Sequence, residues 1–144
     1  MLAARNIVEA TMALDQISLT YDERFLRRKV LRSAAGEEFL VDLASTMSLA
    51  AGQAFELEDG RRIAVLPADE PLLEITGPNL TRLAWHIGNR HTPCEIQADC
   101  LIIQRDHVLH DMLQKLGALV REISGPFTPE GGAYGHGRTH GHRH

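Results

Sequence analysis

Histidine is the residue type whose placement in this sequence most strongly indicates chemistry. All eight histidines lie between His86 and His144, and the first 85 residues contain none. Neutral imidazole is a good ligand for nickel, copper, zinc and cobalt ions. The distribution therefore indicates a metal-binding function that is confined to the C-terminal half of the chain.

The C-terminus holds half of these histidines within nine residues, at His136, His140, His142 and His144. Glycines between them would let a short segment fold around a metal ion at little steric cost. A purification tag is the alternative, but tags are usually consecutive histidines, whereas Gly, Arg and Thr interrupt this run irregularly. We therefore predict that the tail captures a metal ion, whose identity the tail alone does not specify.

A second candidate site is the segment HIGNRHTP, residues 86–93. His86 falls in the last turn of a predicted helix, where interaction with the free carbonyls is the simpler interpretation. His91 lies outside that helix, just before Pro93, which biases Thr92 towards an extended conformation. One exposed histidine binds a metal ion poorly. Two copies related by a two-fold axis, completed by the tails, would form a better site.

The predicted helix from Asp106 to Gly117 carries His107 and His110, which share one face because they are three residues apart. A solvated polar surface is the preferred interpretation for His110, while for His107 the two interpretations are evenly balanced. Cys94 and Cys100 are separated by five residues rather than the two of a typical metal-binding pair. We interpret both cysteines as small buried residues of predicted strands.

Residues 1–70 are predicted to form a small β-rich domain, a barrel or a sandwich, with a candidate surface for a partner protein. Strands at 28–32 and 38–43 flank a hairpin loop, and strands at 55–58 and 61–66 flank an Asp59-Gly60 turn.

Residues 71–134 show the order β-α-β-β-α-β of a ferredoxin-like fold. The predicted elements are a strand at 72–76, a helix opened by Gly77-Pro78 and closed by Gly88-Asn89, strands at 94–97 and 100–104, the second helix, and a strand at 119–123. The sequence CEIQ and CLIIQ of the middle strands contains no aromatic residue, so an RNA-recognition domain is rejected. Residues 135–144 are predicted to be a disordered, flexible tail. The predicted fold class is therefore α+β.

Composition excludes several other classes of protein. The net charge of -4 argues against nucleic acid as the main partner. No apolar run approaches the roughly 20 residues that cross a bilayer, so no membrane association is expected. The N-terminus lacks the apolar region of a signal peptide, and two cysteines form no disulfide framework. A cytoplasmic location is therefore expected.

The segments HIGNRHTP (86–93), DHVLHDML (106–113), PFTPEGGAY (126–134) and the histidine-bearing C-terminus resemble the UreE family of urease accessory nickel chaperones. The resemblance covers the whole chain. It implies that His91 is the principal Ni²⁺ ligand, shared by two protomers of a homodimer, and that Zn²⁺ or Cu²⁺ can bind there too. It implies a peripheral role for His107, although Gln104 and Arg105 stand where some members have further histidines.

The resemblance also implies that the tail completes the site and that dimers can pair further around a metal ion. The implied partners are the urease apoprotein and other urease accessory proteins, including the GTPase. The implied function is that of a metallochaperone that delivers nickel during assembly of the urease active site. Its binding should weaken as the pH falls through about 6.5, because protonated imidazole cannot coordinate a metal ion.

Three other functions account less well for HIGNRHTP. A metalloenzyme would need three fixed ligands and a general base, and the sequence contains neither H-E-x-x-H nor a recognisable nucleophile, so we expect no enzymatic activity. A metal-responsive regulator would need a basic DNA-reading helix. A general divalent-metal storage or buffering protein is the main alternative, and it predicts many ions per dimer that do not pass to apo-urease.

Overall fold

The computed structural model describes residues 1–131 and separates the chain into two compact units, with the division between Ala68 and Asp69. The first unit contains only strands: β1 Leu2–Glu9, β2 Asp15–Leu19, β3 Phe25–Arg32, β4 Glu38–Ser48, β5 Gln53–Leu57 and β6 Arg62–Pro67. They form one six-stranded sheet in the order β2-β6-β5-β1-β4-β3.

Both hairpins predicted from the sequence are confirmed. Strands β3 and β4 pair antiparallel around a loop that the amide of Ser33 closes by donating to the carbonyl of Glu37 at 2.9 Å. Strands β5 and β6 pair antiparallel around Asp59-Gly60. Gly60 has a φ of +88°, which a residue without Cβ adopts freely, so the turn chemistry explains the register.

Strands β1 and β2 were not predicted from the sequence. β1 lies inside the sheet, where it pairs parallel to β4 and antiparallel to β5. β2 pairs parallel to β6. Parallel neighbours are joined by long connections rather than by a tight turn, so no local signal marks these strands.

Residues that flank β3, one edge strand of the first unit, form hydrogen bonds to β2, the other edge strand. The amide of Ala34, just after β3, donates to the carbonyl of Gln16 in β2 at 2.7 Å. Just before β3, the buried Arg24 side chain donates to the carbonyl of Leu19 at 2.8 Å. These contacts link the two ends of the strand order and agree with the barrel interpretation. The enclosed core includes Phe39 and Phe55, whose ring centroids are 5.5 Å apart.

The second unit has the predicted order β-α-β-β-α-β. Its elements are β7 Asp69–Thr76, α1 Leu80–Asn89, β8 Glu95–Ile96, β9 Leu101–Gln104, α2 His107–Lys115 and β10 Leu119–Pro126. The sheet order is β10-β7-β9-β8, and all neighbours are antiparallel. Numbered along the chain within this unit, the strands lie in the order 4-1-3-2. The ferredoxin-like prediction is therefore confirmed.

The core of the second unit lies between the two helices and the sheet. The apolar spacing of the helices predicts which side chains are buried, because residues three or four apart share a helix face. The buried helix residues pack on alternate residues of the central strands β7 and β9. The set is Leu83, Ile87, Leu109 and Leu113 from the helices with Leu73, Ile75, Leu101 and Ile103 from the strands.

Helix starts are set by side-chain caps. Asp106, the first residue of the predicted second helix, caps α2, since its carboxylate accepts the amides of Val108 at 2.8 Å and Leu109 at 3.1 Å. In α1 the cap is Asn79, whose side chain accepts the amide of Arg82 at 3.1 Å. The predicted opening of the helix at Gly77-Pro78 agrees with this cap, because Pro78 directly precedes Asn79.

Neither helix found in residues 1–131 is long and apolar enough to cross a membrane. The prediction of a disordered tail at 135–144 lies outside the described residues.

Candidate metal centre

Helix α1 ends in a turn that places His91 in the left-handed region of backbone conformation, with a φ of +57°. The amide of His91 donates to the carbonyl of Gly88 at 2.9 Å, and the amide of Thr92 donates to the carbonyl of Ile87 at 3.4 Å. These two bonds define a Schellman motif, in which glycine usually occupies the left-handed position. A histidine therefore stands where the backbone favours glycine.

The expectation that Gly88 or Asn89 closes the helix in this conformation is wrong. Both residues lie inside α1, and Arg90 is the C-cap. The position of Ile87 explains the difference, because its side chain is fully buried and its carbonyl accepts the closing bond. In a Schellman motif the left-handed residue lies four positions after the residue whose carbonyl accepts the closing bond. Four positions after Ile87 is His91.

The loop that carries His91 is fixed to the protein core at both ends. Ile87 on one side is fully buried, and Cys94 on the other side packs against the same core cluster. His91 itself is exposed. The structure therefore presents this imidazole to solvent from a short loop with two anchored ends.

The remaining histidine of the segment, His86, lies in the last turn of α1 and is half-buried. Its ring packs edge-on against Trp85, with ring centroids 5.1 Å apart and an interplanar angle of 88°. The side chain of Trp85 is 63% exposed, so the pair forms part of the surface next to the His91 loop. Its place at the C-terminal end of α1 agrees with the interpretation of His86 as a helix-end histidine.

Helix α2 carries His107 and His110 near its N-terminus. His107 is the first residue after the Asp106 cap and is exposed, whereas His110 is half-buried. The amide of His110 donates to the carbonyl of Asp106 at 2.9 Å. The two histidines share a helix as predicted, but on the described part of the chain they belong to no group of three metal-binding side chains.

The two cysteines are free thiols. Each precedes a strand by one residue instead of lying in it, as β8 begins at Glu95 and β9 at Leu101. Cys100 is buried and Cys94 half-buried. Burial raises the pKa of the Cys94 thiol to about 11, and burial also raises the pKa of the Cys100 thiol. Both are therefore protonated at neutral pH, whereas metal ions bind the thiolate.

The chain returns to the His91 loop after β10. Phe127 is fully buried, and the amide of Thr128 donates to a carboxylate oxygen of Glu95 at 2.8 Å. The amide of Glu130 donates to the carbonyl of Cys94 at 2.9 Å. The last described residues therefore lie beside the segment that follows His91. The predicted ligands His136, His140, His142 and His144 lie outside the described residues.

These contacts of residues 127–130 were not found from the sequence. The residues that they join are 33 and 36 positions apart, and no periodicity connects positions of such separation. Residues 125–134 are rich in proline and glycine, which gives no local signal of such contacts. A buried aromatic residue within such a stretch, here Phe127, was the available signal that the segment is anchored rather than free.

Within residues 1–131 no three side chains of His, Cys, Asp or Glu lie close enough together to hold a metal ion. The structure thus brings His91 and the start of the C-terminal segment to one loop, and it places His107 on the other helix. Which residues bind a metal stays a prediction.

Comparison with known proteins gives the family. Residues 3–68 match the model of the UreE urease accessory protein N-terminal domain, and residues 70–144 match that of its C-terminal domain. The urease accessory protein UreE of Ruegeria pomeroyi is 66% identical over 130 residues, which cover 90% of this chain and 87% of that protein.

Two further relatives carry the same name. The protein of Cereibacter sphaeroides is 62% identical over 128 residues, covering 89% of this chain and 70% of its own length. The protein of a Chelativorans species is 48% identical over 141 residues, which cover 92% of this chain and 89% of that protein. On these matches the chain belongs to the UreE family of urease accessory proteins.

Proposed function

We propose that this protein binds Ni²⁺ and delivers it to the urease apoprotein during assembly of the urease active site, as a metallochaperone without enzymatic activity of its own. Membership of a family of urease accessory proteins supports the role in urease maturation. The ion is held at a homodimer interface by His91 of each protomer, and the C-terminal histidines assist. The other urease accessory proteins, including the GTPase, are its partners in the cytoplasm.

The single observation that carries this proposal is the placement of His91. The residue is exposed, and it occupies the left-handed position of a Schellman motif with a φ of +57°. That conformation costs an L-residue other than glycine about 1–2 kcal/mol, although histidine tolerates it better than most. An exposed side chain on an unfavourable backbone conformation supports a functional role for its imidazole.

Coordination chemistry explains why the site needs more than one chain. A single imidazole holds a divalent ion weakly, and nickel prefers several nitrogen or oxygen ligands. A two-fold axis would bring the His91 side chains of two protomers to one ion, since in such an interface the same patch of each protomer meets the other. Two dimers could pair in the same way, with equivalent side chains of each dimer sharing a further ion.

The anchored C-terminal segment supports a contribution from the tail. Cys94, which holds the amide of Glu130, lies three residues after His91, a span of at most about 11 Å. His136 lies six residues after Glu130, which gives it a reach of up to about 20 Å. The tail histidines His136, His140, His142 and His144 can therefore reach a metal ion at His91.

A carrier must also release its cargo. Exposed ligands that come from a loop and a tail allow stepwise exchange, whereas a structural zinc site closes with four fixed ligands. The same imidazoles would bind Zn²⁺ or Cu²⁺ as well, since copper stands above nickel in intrinsic affinity. His107 is a secondary site at most, because among residues 1–131 it has no two further ligands beside it.

The test of this function is transfer. The nickel-loaded protein is incubated with urease apoprotein, its other accessory proteins and a chelator that removes free nickel, and urease activity is then measured. We expect the intact chain to activate urease and the His91→Gly variant to fail, while His110→Ala, a change at another histidine of the same unit, activates normally. Activation no better than that by the same nickel without the protein would contradict delivery.

The same experiment separates the proposal from metal storage or buffering. A storage protein would bind many ions per dimer and would protect them from the chelator without activating urease. In a storage protein, the amount of bound nickel would fall with the number of tail histidines removed, and not specifically on mutation of His91.

A further inference from the structure

We propose that Glu95 is a positioning residue of the metal site, which holds Thr128 and thereby starts the C-terminal histidine segment beside the His91 loop. We call the contact between these two side chains the Glu95–Thr128 clasp. The inference rests on the proposed function in one respect, namely that the tail contributes ligands. The clasp itself consists of described contacts.

The clasp is made of several bonds to one carboxylate. Oε1 of Glu95 accepts the amide of Thr128 at 2.8 Å and the hydroxyl of Thr128 at 3.1 Å. Oε2 of Glu95 accepts the side-chain amide of Gln97. Charge-assisted bonds of this kind are about twice as strong as bonds between neutral groups. Both oxygens of the Glu95 carboxylate therefore accept hydrogen bonds from the chain itself.

Two neighbouring contacts support the clasp on either side. Before Thr128, the side chain of Phe127 is fully buried. After it, the amide of Glu130 donates to the carbonyl of Cys94 at 2.9 Å. The segment is thus held at three successive points, by an apolar side chain, a carboxylate and a backbone carbonyl.

The clasp moves the origin of the tail across the sheet. Strand β10, which ends at Pro126, is one edge of the four-stranded sheet, and β8, which contains Glu95, is the other. Three strand spacings separate the two edges, or about 14 Å. Without the clasp the tail would begin at the β10 edge. With it, the tail begins at the edge that directly follows the His91 loop.

The shift of the start of the tail from the β10 edge to the β8 edge raises the local concentration of the tail histidines at the His91 loop. From Glu130, His136 is six residues away, whereas from Pro126 it is ten. Effective concentration falls roughly as the −3/2 power of tether length, which gives about a twofold decrease from length alone. The shift in attachment point adds to this. We therefore expect Glu95→Ala to weaken nickel binding of the intact chain by at least about twofold.

The first test follows the position of the tail without metal. A nitroxide label is attached at Asn89→Cys, an exposed position, and the broadening of the amide signals of residues 131–135 is measured by NMR in the full chain. The native thiols label slowly at neutral pH because burial raises their pKa. We expect strong broadening in the labelled parent and in Glu95→Gln, which keeps an oxygen acceptor, and weak broadening in Glu95→Ala. Equal broadening with alanine, or none in the parent, would overturn the proposal.

The second test is a double-mutant cycle on nickel affinity. Glu95→Ala is compared in the full chain and in a chain truncated after Tyr134, with Glu95→Gln as the conservative control. We expect the alanine variant to lose affinity only in the full chain and glutamine to retain it. Equal losses in both chains would show that Glu95 is a ligand or a structural residue, contrary to the proposal. If truncation alone has no effect, the tail's contribution to the proposed function is wrong, and the label experiment still decides the clasp.

Discussion

The amide of His91 donates a hydrogen bond of 2.9 Å to the carbonyl oxygen of Gly88, three residues earlier in the chain. Together with the bond from the amide of Thr92 to the carbonyl of Ile87, it closes the end of α1 in a Schellman motif, in which His91 has a positive φ. The residue that is the leading candidate for binding a metal ion is therefore also the residue with the least favourable backbone conformation in its loop. Replacement of His91 by glycine should consequently remove metal binding without a loss of stability.

Replacement of His91 by glycine tests this expectation. Glycine adopts a positive φ freely but gains more entropy in the unfolded chain, so the two effects nearly cancel or favour the variant. We expect His91→Gly to leave the free energy of unfolding unchanged or to raise it by up to about 1 kcal/mol. Val at the same position should lower it by about 1–2 kcal/mol. Urea denaturation measures both, and a less stable glycine variant would contradict the assigned conformation.

The cap of α2 provides an independent check on how the second helix is held. Asp106 accepts two backbone amides, and substitution of an N-cap residue by alanine typically costs about 1 kcal/mol. We expect Asp106→Ala to lower the free energy of unfolding by that amount and Asp106→Asn, which keeps the acceptor oxygen, to change it little. Equal losses in the two variants would indicate that charge rather than capping matters.

The sequence was informative wherever a local signal decides the structure. The cap at Asp106, the Asp59-Gly60 turn and the apolar faces of both helices are short-range features, and each is present as predicted. Strands β1 and β2 were not predicted, because their parallel partners are distant in the chain.

The end of α1 was misplaced for a different reason. Gly88 and Asn89 are intrinsically better suited to a left-handed conformation than His91. Burial of Ile87 nevertheless fixes where the helix ends. The conformational preferences of the exposed residues Gly88, Asn89 and His91 are too weak to move that end. Tertiary packing overrode local propensity at the one position where the candidate ligand sits.

The dependence of the His91 loop on Ile87 can be measured. Truncation of a fully buried Ile or Leu to alanine costs about 2–5 kcal/mol. We expect Ile87→Ala to lose stability within this range and also to weaken nickel binding, because the carbonyl that closes the loop loses its anchor. Leu113→Ala, in the same core but on α2, is the matched control.

That control should lose similar stability and retain nickel affinity. Thermal unfolding and calorimetric titration together give both quantities. Parallel losses of affinity in the two variants would indicate that core stability in general, and not the anchor of this loop, controls binding.

The thiol of Cys94 offers a test of the ligand set. Because burial raises its pKa to about 11, the reactive thiolate is scarce until the pH approaches that value. We expect alkylation of Cys94 at neutral pH to be far slower than that of a free thiol and to accelerate up to about pH 11. Cys94→Ser should leave nickel affinity unchanged. Rapid alkylation at neutral pH that bound nickel prevents would instead make Cys94 a ligand.

The most direct test of the central claim is the stoichiometry of the tightest nickel site, measured by calorimetric titration with light scattering to follow the oligomeric state. We predict about one tightly bound ion per two chains, as expected for a site on a two-fold axis. That ion should be lost in His91→Gly and bound more weakly in the chain truncated after Tyr134. Normal binding by His91→Gly, with loss only on truncation, would show that the tail is the carrier and that the main site is not at His91.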